Sequence, residues 1–471
     1  MRETGSDVSA AKLFLLGALC CGAAFAHVGS PDVFYQGKAG AYPLLIAIRP
    51  PEVIPGVARI EVRSLAPGLQ QLQLTPTPMT GEAANHPPIA DIAVQSPTDP
   101  QFYEGSLWLM QMGSWVVHIH ATGPAGTGDL VVPVPAVATR IRPMNSGVGY
   151  FLLGMMVFLV TGLVSIAGAA VREAQLEPGQ PSARWTPKTL LTMACTAAIL
   201  AFALWRGNIW WAEDAAVSQQ RLFKPLGISA RMTDGDHAQF RLNDPGWLRL
   251  RRLDDLIPDH GHLMHLFLVR WPAMDQVFHL HPDQTATGFF DLDLPPLPAG
   301  EYRIFGDIVH ENGFAETAVG QVTLPDLRGK PLVGDDAGGA ATSDLGHGYR
   351  MIWQHDATPV TAKGVRLFSF AILGPDGKPV SDLQPYMGMG GHAEFVKRDG
   401  SVFAHVHPTG SVSMASVAVA SPEQMAAMHE TTVGPVVSFP FGVPAPGSYR
   451  IFVQLKRAGK VETGTFDLEV K

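Results

Sequence analysis

Along most of this chain, apolar and polar residues alternate in short runs broken by Gly and Pro, the pattern of strands with one buried face. In residues 114–121, Trp115, Val117 and Ile119 share one face, and Val116, His118 and His120 share the other. Residues 42–48 and 58–62 form similar runs, set off by breakers such as Arg49-Pro50-Pro51 and Gly123-Pro124. Two stretches depart from this pattern. Residues 147–171 are uncharged and apolar over a length that crosses a bilayer; residues 189–207 form a shorter run that extends into Ile209-Trp210-Trp211, aromatics suited to a membrane interface. The pattern predicts a mainly β protein of three sandwich domains, with a two-helix transmembrane hairpin between the first and the second. The expected boundaries are an N-terminal domain at 27–144, helices at 147–171 and 189–207 around a cytoplasmic loop at 172–188, and further sandwiches at 220–326 and 346–471 joined by a linker at 327–345.

The last two domains read as copies of one unit. Asp255 to His265 is D-L-I-P-D-H-G-H-L-M-H, and Asp382 to His392 is D-L-Q-P-Y-M-G-M-G-G-H. Each continues through an apolar run and a turn to H-x-H-P: His279, His281 and Pro282 in one copy, His405, His407 and Pro408 in the other. Their ends also match, with Tyr302-Arg303-Ile304-Phe305 set against Tyr449-Arg450-Ile451-Phe452. A hairpin whose turn holds Pro272 brings His265 beside His279 and His281, and an Asp399-Gly400 turn does the same for His392, His405 and His407. His260 and His262 of the first copy stand where Met387 and Met389 stand in the second.

These are metal-binding residue types. Imidazole suits copper and zinc, and thioether selects Cu(I). All three cysteines (Cys20, Cys21, Cys195) lie in apolar segments, which excludes thiolate zinc or iron–sulfur sites from the β domains. Copper, as Cu(I) or Cu(II), is therefore expected, with zinc the competitor for the all-histidine copy. The expected ligands are His265, His279, His281, His392, His405 and His407, with His260, His262, Met387 and Met389 tuning affinity or exchange. His310 has no equivalent in the second copy and reads as a surface residue. Alone, His118 and His120 read as decoration of a solvated sheet face.

The N-terminal 26 residues read as a secretory signal ending in Ala24-Phe25-Ala26, so that His27 would begin the mature chain and offer both its α-amine and its imidazole to one ion. A signal peptide and two spans place both soluble parts on the periplasmic side of the inner membrane. With a net charge of -8 and no basic block, a nucleic-acid partner is not expected. The absence of P-loop, complete G-x-G-x-x-G, G-x-S-x-G and H-E-x-x-H patterns leaves nucleotide binding and hydrolysis unsupported.

The repeated motif resembles bacterial extracytoplasmic Ig-like domains grouped with copper- or heavy-metal-handling proteins. The V-F-Y-Q-G-K-A-G-A-Y-P-L run is similar to periplasmic Ig-like or cupredoxin-like domains of the copper-resistance carrier type. This resemblance implies that the three sandwiches are Ig-like or cupredoxin-like. The overall plan also resembles one component of particulate methane and ammonia monooxygenases, the polypeptide with a cleaved signal, a mature N-terminal histidine, a β domain with an H-x-H, two spans and another β domain. His27, His118 and His120 fall at matching places in that plan. This chain departs from it in carrying two C-terminal domains with their own histidine motif. The expected function is copper delivery, buffering or resistance without catalysis, in contact with other copper-handling or oxidase membrane proteins. The rival readings are a copper-containing oxidoreductase subunit and a metal-free structural or assembly module.

Overall fold

The computed structural model describes residues 32–174, 176–181, 183–247, 251–329, 341–355, 358–411 and 433–471. The expected signal peptide, His27 and most of the 327–345 linker lie outside them. The chain is mainly β, with several sheets and two long apolar helices.

In the N-terminal part, Val33–Ala39, Tyr42–Arg49, Gly56–Ser64, Phe102–Leu109 and Val94–Gln95 form one sheet, and Asp91–Ile92, Gln71–Pro78, Gly113–Gly123 and Gly126–Ala136 form another. Alternation sets which residues they bury: Leu44, Ile46, Ile48, Ile60 and Val62 of the first meet Leu72, Leu74, Val117 and Ile119 of the second in one core.

The helices Ser146–Glu173 and Pro187–Gln220 have mean hydropathies of 2.3 and 1.6 over their most apolar windows and are only 6% buried there, the exposure expected of lipid-facing surface. Asn145 caps the first by accepting from the amides of Gly147 and Val148, and Thr186 caps the second ahead of Pro187. The second helix does not stop near 207 as expected. It runs to Gln220, because Gly207 is a single weak breaker and Ala212 to Gln220 carries helix formers with neither Gly nor Pro.

Beyond the helices, residues 227–324 form one nine-stranded sheet whose two halves join through a single parallel pairing, Gly227 with Val319. Its core includes Phe240, Leu266, Leu268, Phe290 and Ile304. The last part has separate four- and five-stranded sheets around Phe370, Phe395, Phe439, Ile451 and Phe466.

Three strands of each C-terminal unit position the site. In the first unit they are His265–Trp271, Val277–Leu280 and Gly300–His310; in the second they are His392–Lys397, Phe403–Val406 and Gly447–Arg457. One face of each triplet lines its own unit's core, and the other meets the opposite triplet. Phe267, Val269, Val277 and Phe305 from one side and Val396, Phe403 and Phe452 from the other form a separate buried cluster. At its centre Phe305 and Phe403 stack at 4.1 Å. The histidines lie beside this apolar seam, facing each other across it.

Candidate metal centre

Register dictates which side chains meet. Phe267 stands opposite both His279 and Phe305, and His265 stands opposite Asp307. In the second unit, Glu394 stands opposite His405 and Phe452, and His392 stands opposite Gln454. The entry turns correspond as well. Asp259 pairs with His262, and Tyr386 pairs with Met389, across two-residue turns in which His260-Gly261 and Met387-Gly388 all have positive φ.

Eight imidazoles gather in this space. His265, His279 and His281 can each offer one ligand atom within 4.8 Å of the others, and so can His392, His405 and His407, and Asp259, His260 and His407. Rings from opposite units approach closely: His279 to His392 at 5.0 Å, His279 to His405 at 5.5 Å, and His260 to His407 at 5.1 Å between centroids. His262 stacks on His281 at 4.0 Å. The two sets form one cluster at the interface between the units.

In the first set, the outer ring nitrogens are engaged by carbonyl oxygens. His265 Nε2–H donates to the carbonyl of Asp259 at 3.0 Å, and His279 Nδ1–H donates to Gln454 Oε1 at 3.3 Å. In the neutral rings this leaves lone pairs on His265 Nδ1 and His279 Nε2, which point at each other across 2.9 Å. Two nitrogens bound to one metal at about 2.0–2.1 Å have this separation when the angle at the metal is about 90°. In the second set His392 Nδ1 and His405 Nε2 are 2.8 Å apart, and His405 Nδ1–H donates to Asp307 Oδ2 at 3.2 Å.

The supports are exchanged between the units. Asp307 and Gln454 occupy corresponding positions, two residues beyond Phe305 and Phe452, yet Gln454 holds the first unit's His279 and Asp307 holds the second unit's His405. A second hydrogen bond of this kind fixes a metal-binding imidazole's tautomer and orientation.

Seven buried atoms here have no hydrogen-bond partner among the described residues: Asp259 Oδ1, Nε2 of His260, His281, His392 and His407, and both carboxylate oxygens of Glu394. Buried polar groups are normally satisfied, so these atoms stand out, and two of them, His260 Nε2 and Asp259 Oδ1, lie 3.5 Å apart. Burial also keeps His279, His281, His392, His405 and His407 unprotonated. It lowers His281 to about 3 and His407 to about 4, and pushes His279, His392 and His405 well below the ordinary imidazole value, with neighbouring histidines adding to the effect. Neutral imidazole is the metal-binding form. Conversely, burial raises Asp307 to about 7; burial, then the nearby charge of Asp307, raises Glu394 well above the carboxylate range.

The remaining expected residues fare differently. Met389 is buried and Met387 half-buried in the turn, but it is the neighbouring Tyr386 whose ring packs on His392, at 4.9 Å. His118 bonds Thr77 Oγ1 at 3.0 Å and His120 bonds Asp129 at 2.7 Å, both distant in sequence and fold from the cluster. His27 lies outside the described residues. His310 is not a surface residue: it is 4% exposed and bridges Asp255 and Glu316 at 2.7 and 3.0 Å. Burial opposes its charge, but hydrogen bonds to Glu316 and Asp255 prevail and raise its pKa. Sequence reasoning missed Asp259, Asp307, Glu394 and Gln454, although counting two residues on from the matched Phe305 and Phe452 reaches Asp307 and Gln454.

A cavity of about 1030 Å³ adjoins the cluster. Its walls are largely apolar, including Phe34, Phe223 and Phe314, and it ends at Asp259, Asp307, His405 and His407. Phe223 follows closely on the second long helix and packs with Val137, Trp247 and Phe314, joining N-terminal part, helix exit and first C-terminal unit.

A family model described as a domain of unknown function (DUF8832) matches residues 342–471, which contain the second histidine set. Comparison with curated proteins finds no match. Among solved structures, the chain is similar to a tetra-tandem repeat in the extending region of a large adhesion protein, at 11% identity, covering 93% of this chain and 82% of that one with a TM-score of 0.17. It is also similar to E. coli alpha-2-macroglobulin in its native conformation (10% identity, 94% and 23% coverage, TM-score 0.20) and to a putative membrane anchored protein from Corynebacterium diphtheriae (9%, 93% and 95%, TM-score 0.16). None of the three is a copper-handling protein or a monooxygenase component by its description, and at these scores the likeness carries no argument.

Proposed function

We propose that this chain is a membrane-anchored, periplasm-facing protein that binds copper at the interface between its two C-terminal units and serves copper delivery, buffering or resistance. In this reading residues 27–144, 220–326 and 346–471 are three Ig-like or cupredoxin-like sandwiches, the last two being copies of one repeat, and the helices form a hairpin through the inner membrane. The observation that carries the proposal is the pair of ring lone pairs, His265 Nδ1 and His279 Nε2, facing each other at 2.9 Å with their other nitrogens already donating. Neutral nitrogens so placed repel unless a cation lies between them. The cysteine-free, imidazole-rich donor set with thioethers in the adjoining turn favours copper, and zinc is the competing ion. Metal titration of the full chain in detergent, with Cu(I), Cu(II) and Zn(II) against chelators of known affinity, tests this. Tight stoichiometric copper binding is expected, and binding no stronger than that of a histidine-free control would overturn it.

A second reading, a copper-containing oxidoreductase subunit, is favoured by the apolar cavity that runs from the membrane-helix exit to His405 and His407. It requires that a lipophilic reductant reduce bound Cu(II) faster than a water-soluble one of equal potential. Equal rates would dismiss it.

A further inference from the structure

We propose that Asp259, His260 and His407 form a separate divalent-metal site that joins the two C-terminal units and keeps one coordination position open to the apolar cavity. This goes beyond the copper reading, which stands on His265 and His279. Asp259 and His260 are neighbours in the entry turn of the first unit, and His407 comes from the second unit, just before Pro408. One ligand atom from each lies within 4.8 Å of the other two. The turn is held at both ends: the Asp259 amide donates to the His262 carbonyl at 2.8 Å, and the His262 amide donates to that of Asp259 at 3.0 Å. His260 takes a φ of 49° there, in the left-handed region that a residue with a Cβ rarely occupies. Its ring meets that of His407 edge-on at 5.1 Å across the interface.

Asp259 Oδ1, His260 Nε2 and His407 Nε2 are all buried, and none has a hydrogen-bond partner among the described residues. Asp259 Oδ1 and His260 Nε2 stand 3.5 Å apart without forming a hydrogen bond. Two donors bound to one ion at about 2.0–2.2 Å have this separation when the angle at the metal is about 110°. One ion here would give all three atoms a partner. Two imidazoles and a carboxylate suit divalent ions such as Zn(II) and Fe(II), and three protein donors leave room for an exchangeable ligand. Asp259 and His407 both line the cavity, so that ligand arrives from there. His407 also belongs to the second histidine set, so an ion at either place draws on that imidazole. The matched turn of the second unit carries Tyr386 and Met387, with neither carboxylate nor imidazole, so the arrangement is not repeated on the other side. A thioether in that turn instead suits Cu(I), and the two turns thus differ in the ion they favour.

The test uses the full chain in detergent, stripped of metal, as wild type, Asp259→Asn and His260→Met. Met already occupies this turn position in the second unit, where Met387 has a φ of 56°, so the second variant guards against loss of the fold. Co(II) is the probe, because its visible absorption reports its donors, and azide is the exogenous ligand. Wild type is expected to bind Co(II) with a spectrum that azide changes. Each variant should weaken that azide-responsive Co(II) by more than about 100-fold, beyond the loss expected of a residue that only orients a ligand, while Cu(I) affinity stays within about 3-fold. Azide-responsive Co(II) binding unchanged in a folded variant would overturn the proposal, and so would a wild-type Co(II) spectrum that azide leaves unmoved. If Asp259→Asn does not fold, His260→Met decides alone. Copper binding without any Co(II) site that depends on Asp259 or His260 sinks this proposal and leaves the copper reading standing. Co(II) held by Asp259 and His260 in a chain that binds no copper does the reverse.

Discussion

The pattern His-x-His on a β-strand occurs in two settings in this molecule, and only one of them gathers its imidazoles into a cluster. In the N-terminal part, His118 and His120 project from a sheet face where each finds its own neighbour, Thr77 for one and Asp129 for the other. At the C-terminal interface, His279 and His281 meet His405 and His407 across a buried seam, and Nε2 of His281 and of His407 finds no hydrogen-bond partner among the described residues. The motif and its alternation are the same. What differs is whether a second sheet closes over the imidazoles, since closure strips away water and leaves their lone pairs to one another. An H-x-H is thus a set of donors in search of an enclosure, and the enclosure is decided by tertiary packing.

Removing the donors is the bluntest way to break this contrast. Replacing His279, His281, His405 and His407 together by Ala should abolish tight metal binding by the full chain, read as metal per protein after desalting. Retention of wild-type stoichiometry would relocate the site. Acidification of the metal-free protein probes the enclosure itself. His407 has a pKa of about 4 when folded against 6.5 for a free imidazole. Below pH 6.5 the unfolded chain therefore binds more protons, so the stability His407 contributes is intact above that value and is lost as the pH falls towards 4, about 3 kcal/mol across the window. Asp307 acts in the opposite sense: raised from 3.8 to about 7, it favours the fold most at low pH and loses that contribution as the pH rises through this range. With six lowered histidines against two raised carboxyls at the interface, net acid sensitivity is expected, visible as a melting temperature that falls from pH 7 to pH 5 and falls less in His407→Gln.

A subtler alteration leaves the donors and changes their support. Asp307→Asn should weaken metal binding by about 10–100-fold through loss of the anion that orients His405, with copper competition as the readout. The smallest effect belongs to the other side of the contrast. His118→Ala with His120→Ala should leave C-terminal metal stoichiometry and affinity unchanged, and any loss there would show that the two regions are coupled.

Much of this was legible in the sequence. The H-x-H-P endings, the Asp-Gly turn and the alternation of Phe278 and Leu280 with His279 and His281 located the strands and the faces of the histidines, because each is a local matter of pleat and turn. The meeting of the two units was not, because it depends on contacts between residues more than a hundred positions apart. One trace of it was nevertheless present. Leu266 to Val269 is apolar at every position, and a strand apolar on both faces must be covered on both. Glu394 in the matching run Ala393-Glu394-Phe395-Val396 is the anomaly: an acid inside a strand with no wet side. His310 reads as a surface residue because the second copy has no equivalent, but a missing counterpart says nothing of burial, and the strand turns the histidine inward towards Asp255 and Glu316.

The exchange of supports, with Gln454 steadying His279 and Asp307 steadying His405, has an engineering consequence. Neither unit can be lifted out and grafted elsewhere with its chemistry intact, since each leaves behind the residue that aims its own imidazole. Because each unit's imidazole rests on a residue of the other, the smallest transplantable piece is the pair.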